Sequence, residues 1–459
     1  MSKTPQGQYF IKSAIFTADR RPDLDEPVVD LAGSISELNI FESVELPYLT
    51  GTCAFVDDVR FRDSIGIKGS ERLTFTILAD KDAEPIIKTF MITGIANNTS
   101  VNERTELHTV TLMEEHGYLS SIMKISESYT GLPELIVDNI LHSHLNKLLR
   151  YDSNLAVQQR MKVNIPYWNP LQAADWLRDR MSSSLGAPYF LYASFRDDFL
   201  RLEDLDNMMT KEAWNTDRAY TYSQTSHNTN NAGTERAEVF HVKSYKASQI
   251  ESTLRLAQGG AIGSEFKTMD LTSSNQSLNV RHNSNSTLDR FIESIESSED
   301  ITSSIGYDWQ LRFANRSANP KNIGEFNSKV FSEVVASRKF YDTDGITPIS
   351  GYADEHLQES LYKLKIKSAA LRAILLNNVF EITVPGQPYL YNDLDIGVGS
   401  NILLNYAIAS QADGTIQVGD VDRNKSGKFL IYRTRHKFTE GMYDVKMDIV
   451  KLTDKTGEA

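Results

Sequence analysis

The chain has 459 residues, 61 Asp and Glu against 48 Lys and Arg, a formal charge of −13, and 40% hydrophobic residues. That length exceeds a single core and predicts about three or four domains. The single cysteine, Cys53, excludes an intrachain disulfide framework and a thiolate metal cluster, and the acidic balance argues against tight nucleic-acid binding, which needs clustered Lys and Arg.

No window reaches the roughly 18–20 uninterrupted apolar residues of a membrane span. The most apolar stretch, Ala369 to Phe380, is broken by Arg372 and Asn377-Asn378. Met1 to Lys12 lacks the apolar core of a signal peptide, so the expectation is a soluble protein made in a cytoplasm.

Residues 1–30 read as an N-terminal arm with Pro22 and Pro27. Residues 31–116 carry short runs of β-branched and aromatic residues between Gly, Pro, Asn and Asp. They predict strands near Ser36–Ser43, Gly51–Asp57, Arg72–Leu78, Lys88–Asn97 and Glu106–Met113, spaced as in a small barrel or sandwich.

Residues 117–222 read as an α+β domain. Thr130-Gly131-Leu132-Pro133-Glu134 supplies a capping hydroxyl, a first-turn proline and an early acid, and Leu135, Ile136, Asn139, Ile140 and Leu145 follow at helical spacing. A second helix starts at Asn169-Pro170, with Leu171, Ala174, Leu177, Met181 and Leu185 on one face and Gly186 as its stop. Strands are predicted near Met161–Ile165, Tyr189–Phe195 and Leu200–Asp204.

Residues 223–258 read as a Ser/Thr/Asn-rich linker followed by a strand at Glu238–Tyr245, the first part of a second β-barrel. Residues 259–378 form a polar insertion domain ending in a helix from about Ala353 to Asn377, with Leu357, Leu361, Leu364, Ala369 and Leu371 facing inward. Residues 379–459 return to strands, the remainder of the second barrel and a C-terminal tail.

One pattern recurs. Lys88-Thr89-Phe90-Met91-Ile92-Thr93-Gly94-Ile95, a polar turn, and Leu107 to Met113 are echoed by Lys428-Phe429-Leu430-Ile431-Tyr432-Arg433-Thr434, a turn at Thr439-Glu440-Gly441, and Tyr443 to Val450. Hairpins are common, so a generic β-pattern explains the echo as readily as a duplication does. A duplication would put two similar barrels on one chain, and three chains would present six similar units with threefold true symmetry.

The order of parts carries a resemblance. Leu31-Ala32-Gly33-Ser34-Ile35-Ser36-Glu37-Leu38-Asn39-Ile40 leads through Gly51-Thr52-Cys53-Ala54-Phe55-Val56-Asp57-Asp58 to a helix after Ser128-Tyr129-Thr130-Gly131. Ile165-Pro166-Tyr167-Trp168 then leads into the second helix. Later come Thr383-Val384-Pro385-Gly386, Gly427-Lys428-Phe429-Leu430-Ile431-Tyr432 and a hairpin at Gly441. Over about Leu31–Asp206 and Phe380–Leu452 this layout resembles the central hub proteins of contractile-tailed phage baseplates, and is similar to hub domains of type VI secretion spikes. The stretch from Gly259 to Pro348 does not match.

The resemblance implies a β-rich α+β fold with two similar tube-like antiparallel β-barrels, a small α+β domain and an insertion domain. It implies a homotrimer whose pseudo-sixfold ring joins the sixfold tail tube to a threefold central spike. The implied partners are the spike protein, the tail tube or tube-initiator protein, the tape-measure protein and baseplate wedge proteins. DNA would pass through the lumen, without membrane insertion, catalysis or cofactor. The place implied is the tail baseplate of a virion, assembled in the host cytoplasm.

Chemical motifs are weak by comparison. Asp57-Asp58 and Asp197-Asp198 are adjacent carboxylates that point to opposite faces of a strand, so neither doublet forms an acid/base pair alone. His142 and His144 lack the i,i+4 spacing of a zinc helix. Asp420-Val421-Asp422-Arg423-Asn424 begins like a calcium loop, but Lys425 and Ile431 stand where Gly and Glu are needed. Gly259-Gly260-Ala261-Ile262-Gly263 has no Gly-Lys-Ser/Thr after it and so lacks a phosphate loop's lysine.

The reading is therefore a structural assembly protein with no metal site. Its ring or axial contacts are expected in the loops Val44–Thr50 and Ala407–Arg423, through exposed Leu46, Tyr48, Leu49, Ile408, Ile416 and Val418. The alternatives are a tail-associated cell-wall or polysaccharide hydrolase with carboxylates brought from distant segments, and a glycan-binding tail module.

Overall fold

The computed structural model describes residues 9–17, 28–58, 69–79, 83–100, 105–151, 161–183, 186–223, 240–249, 253–259, 264–270, 279–282, 329–335, 368–373, 375–376, 379–390, 396–412, 415–422, 425–439 and 441–453. Seven strands come first: β1 (Phe10–Thr17), β2 (Val28–Asp30), β3 (Ile35–Ser43), β4 (Thr50–Asp57), β5 (Arg72–Leu78), β6 (Ile86–Ser100) and β7 (Glu106–Glu114). Their alternation explains why they form a sheet. On β5, Leu73, Phe75 and Ile77 point inward and are fully buried, while Thr74 meets Thr89 of β6 on the other face, hydroxyl to hydroxyl at 3.0 Å. Phe75 and Phe90 meet edge to face at 6.0 Å.

The segment expected as an arm differs from that expectation. Residues Phe10–Thr17 pair antiparallel with β5 and bury Ala14 and Phe16 completely. The period-two pattern Phe-Ile-Lys-Ser-Ala-Ile-Phe-Thr is a strand signal that the prolines beyond it masked.

The α+β domain follows: α1 (Glu115–Ile122), β8 (Ser128–Gly131), α2 (Pro133–Leu145), β9 (Leu149–Tyr151), β10 (Met161–Asn164), α3 (Pro170–Arg178), β11 (Tyr189–Ala193), β12 (Leu200–Asp204) and α4 (Leu205–Thr210). Helix α2 starts at the predicted proline and ends at Asn146, whose left-handed φ of 50° closes the last turn with Lys147 N donating to Leu141 O. It buries Ile136, Val137, Ile140 and Leu141. Helix α3 stops at Arg178, well short of Gly186. Past it Arg180 N and Met181 N donate three residues back, to Leu177 O and Arg178 O, and Ser183 Oγ then accepts from Ala187 N and donates to Asp206, so a turn follows where the helix was expected to continue.

The remaining strands are β13 (Tyr220–Ser223), β14 (Ser244–Gln249), β15 (Ser264–Asp270), β16 (Asn279–His282), β17 (Lys329–Val335), β18 (Val379–Pro385), β19 (Asn401–Ala412), β20 (Thr415–Val421), β21 (Gly427–Thr439) and β22 (Met442–Thr453). Strand β14 begins later than the predicted Glu238–Tyr245. Strands β15 to β17 pair among themselves as a separate sheet within the expected insertion, most of which lies outside the described residues. Of the helix predicted over Ala353–Asn377, residues 368–373 are helical and the earlier part lies outside the described residues.

The main sheet runs β14-β18-β22-β21-β3-β4-β7-β6-β5-β1-β2, with β19 pairing β21, β20 and β13. Two six-stranded units share it. Setting aside β2, β20 and the separate sheet, the first unit uses β1, β3, β4, β5, β6 and β7, and the second β13, β14, β18, β19, β21 and β22. Numbered within each unit by order in the chain, both have the spatial order 2-3-6-5-4-1. The closing hairpins share a defect: the register shifts between Ile92 and Gly94 on β6, and between Ile431 and Arg433 on β21. The units differ in one pairing, for β1 is antiparallel to β5 whereas β13 is parallel to β19. Among the described residues the strand pairings trace an open path, and at the far end of the second unit Thr221 of β13 bridges His241 just ahead of β14, with Thr221 N donating to Phe240 O at 2.9 Å and Val242 N to Thr221 O at 3.0 Å.

Candidate functional site

The two units meet where β21 changes partner. Its first residues, Gly427–Leu430, pair with β19; past the bulge at Tyr432, Arg433–Thr439 pair antiparallel with Ser43–Glu37 of β3. The seam is a run of main-chain hydrogen bonds joining the early and late parts of one chain, and Val44 N extends it by donating to Tyr432 O at 3.1 Å.

Behind the seam lies a buried polar chain. Glu42 faces inward with Leu38 and Ile40 because all three share one parity on β3, and His436 shares parity with Phe438 on β21. His436 bonds through Nδ1 to the Tyr443 hydroxyl at 2.7 Å and through Nε2 to Glu42 Oε1 at 3.1 Å. Glu42 Oε2 accepts from the backbone N–H of Phe195, in the turn after β11, at 2.8 Å. One carboxylate thus ties the first unit, the second unit and the α+β domain together. Rings enclose it: Phe195 lies 4.6 Å from His436, and Phe438 stacks on Tyr443 at 4.2 Å. Burial pushes the Tyr443 and Tyr389 hydroxyls well above the ordinary phenol range.

At the rim, Arg435 Nε donates to Asn39 Oδ1 at 2.9 Å, and Asn39 donates to Glu37 at 2.8 Å and to Thr52 at 3.1 Å. The Asn39 bond, helped by Lys437 and Arg435, outweighs desolvation and holds the Glu37 carboxyl below the usual range.

The predicted contact loop Val44–Thr50 is clamped onto the same chain. Leu46 O accepts from Ala193 N, Pro47 O meets His116 Nε2 at 2.7 Å, and Leu49 exchanges two bonds with Glu114. Glu45 accepts from Tyr432 OH at 2.6 Å and stands 3.8 Å from both Arg178 and Arg372. Beside them, burial pushes the Asp175 carboxyl up to about 6 against the pull of Arg178, with Asp179 and Glu45 adding to the rise. Leu46 is exposed, but the expectation that Leu49 is exposed is corrected: it is fully buried, because Glu114 fixes its backbone against β7. Tyr48 is half-buried against Gly117. The second predicted loop, Ala407–Arg423, is largely a hairpin of β19 and β20, since its apolar residues continue the strand pattern; Ile408, Ile416 and Val418 lie on it.

The doublets of acids stay apart and are engaged locally. Asp57 is buried 3.4 Å from His108, Asp197 pairs with Arg201 at 2.6 Å, and Asp198 is an exposed partner of buried Lys88. Among the described residues no group of three or more His, Cys, Asp or Glu could hold a metal ion, and no helix is long and apolar enough to cross a membrane. The described geometry offers exposed sheet edges and a hydrogen-bonded seam between the two units.

These features define a β-rich α+β fold built around one large antiparallel sheet. The chain shares the fold of a tail protein from Neisseria meningitidis, with a TM-score of 0.50 at 8% identity over 98% of this chain and 99% of that one. It is similar to a 43 kDa tail protein of prophage MuSo2 from Shewanella oneidensis, with a TM-score of 0.48 and 10% identity over 98% and 100% of the two chains. It is also similar to the E. coli c3393 protein, a type VI secretion component, with a TM-score of 0.41 and 9% identity over 98% and 78%. No family model matches the sequence, and no curated protein matches it.

Proposed function

We propose that this protein is the structural hub of a phage tail baseplate. Three copies form a ring in which each six-stranded unit is one tube-like barrel, so that six similar units meet the sixfold tail tube and three chains meet the threefold central spike. The observation that carries this reading is the recurrence of one strand order twice in a single chain, with the two units joined edge to edge. Closed rings of alternating, similar units convert one symmetry into another without a second gene product. The tail-protein fold supports the setting, a virion tail built in the host cytoplasm, and the tape-measure and wedge proteins are the further neighbours such a ring meets.

The role is binding, with no reaction. The net charge of −13 suits a lumen through which DNA passes, because like charge on wall and phosphate disfavours retention. Leu46, Tyr48 and the hairpin bearing Ile408, Ile416 and Val418 are the axial contacts in this reading, and Leu46 is held in place by its backbone, whose N–H donates to Ser43 O and whose carbonyl accepts from Ala193 N.

Light scattering of the purified chain, alone and mixed with its cognate trimeric spike, tests the reading. Three chains per spike trimer is the expected stoichiometry. A mixture that stops at one or two chains per spike contradicts it.

A further inference from the structure

The seam inside the chain has a counterpart that the chain alone leaves open. Aligning the two hairpins by their shared bulge places Ile92 on Ile431 and Leu112 on Ile449. By the same mapping β6 corresponds to β21, β7 to β22, β4 to β18 and β3 to β14. The second half of β21 is occupied by β3. The second half of β6, from Thr93 to Ser100, pairs on one side with β7 and, among the described residues, with nothing on the other. Strand β14, the counterpart of β3, ends the sheet path and, among the described residues, pairs with β18 alone. Thr93, Ala96, Asn97 and Thr99 on one edge are exposed, as are Ser244, Lys246 and Ala247 on the other.

We propose that these two edges pair between neighbouring copies of this chain, β6 of one subunit with β14 of the next, reproducing the internal β21·β3 seam. The proposal rests on the ring reading above and names the surfaces that close the ring. Transferring the internal register fixes the partners. Lys437 opposite Asn39 becomes Thr99 opposite Lys246, and His436 opposite Ile40 becomes Asn98 opposite Ala247. The junction is antiparallel and head-to-tail, so each subunit gives one edge and receives the other, and three external seams alternate with three internal ones. Lysine on an edge strand commonly blocks pairing. Here the internal seam already accommodates Arg435 and Lys437, and Lys246 would face uncharged Thr99, so charge does not bar the junction.

Cysteine pairing tests it. The native Cys53 is buried and its thiol is pushed up to about 12 by burial, so it stays out of the reaction. Directly opposite residues on antiparallel strands lie within disulfide reach. T99C and K246C chains, each alone, are expected to give no disulfide-linked dimer on mild oxidation. Their mixture is expected to give a linked pair, and the double variant a closed covalent trimer. N98C with A247C is the second reporter, because successive pairs alternate between hydrogen-bonded and open sites. A threefold mass by light scattering with no 99–246 or 98–247 link, or with 99–99 links, overturns this junction and leaves the ring standing. Absence of any threefold species overturns the ring itself, and the junction with it.

Discussion

Replacing Glu42 with alanine is expected to lower stability by roughly 3–5 kcal/mol, because it removes the common acceptor of a buried cluster. His436 Nε2 and the Phe195 N–H both lose their partner in a site with no water-facing surface, and each stranded polar group carries its full desolvation penalty. Glu42→Gln keeps one acceptor oxygen and should cost less. Combining Glu42→Leu with His436→Phe removes the carboxylate and the imidazole together and should cost less than the two single changes summed, the Phe195 N–H and the Tyr443 hydroxyl accounting for the loss that remains, and that non-additivity separates a polar coupling from simple packing. Chemical denaturation, followed through the transition that contains both strand units, reads the parent chain, Glu42→Ala, Glu42→Gln, Glu42→Leu, His436→Phe and the Leu/Phe double variant. Equal costs for alanine and glutamine, with an additive double variant, would show that the cluster does not couple the units.

Gly51→Val is expected to cost about 1–3 kcal/mol or more, the usual range for overpacking a filled sheet interior. A Cβ at Gly51 would lie 2.6 Å from the Asn39 carbonyl oxygen, and backbone in mid-strand cannot swing aside as a side chain can. The push acts on β3 where Asn39 accepts from Arg435, so the seam between units feels it directly. Gly33→Ala is the comparison: nothing lies within 4 Å of its added Cβ, and its stability should change little. Thermal unfolding of the two variants side by side checks the contrast. A Gly51→Val chain as stable as Gly33→Ala would mean that β3 and β4 are not packed as described.

Much of the strand layout was legible in the sequence because antiparallel strands with one buried face announce themselves by alternation. Arg72–Leu78 and Leu200–Asp204 match their predicted limits, and the predicted strand at Lys88–Asn97 lies inside β6. The echo between the two hairpins was visible as residues, but the matching order of six strands was not, since pairing between distant segments leaves no local trace. Strand β1 was hidden by reading composition over a window that included Pro22 and Pro27. The end of α3 leaves no trace in the apolar spacing, which continues through Met181 and Leu185 although the chain already turns at Arg180 and Met181.

The buried cluster was missed for a different reason. His436 stands isolated in sequence, so no metal-ligand spacing marks it. Parity held the signal: Glu42 follows Leu38 and Ile40 at period two, and His436 stands two before Phe438, so each puts a polar group on a buried face. A charge at an inward position asks for a partner, and the only way to supply it here is from another segment. The interface loops were chosen for apolar content alone, which does not distinguish Leu46, exposed, from Leu49, held inside by Glu114.

Electron-microscope averages of the ring, viewed down its axis with the spike bound, test the account most directly. Six similar densities at one radius are expected, with internal and external seams alternating around the circle. Three densities at that radius, with the second unit of each chain displaced inward or outward, would contradict it.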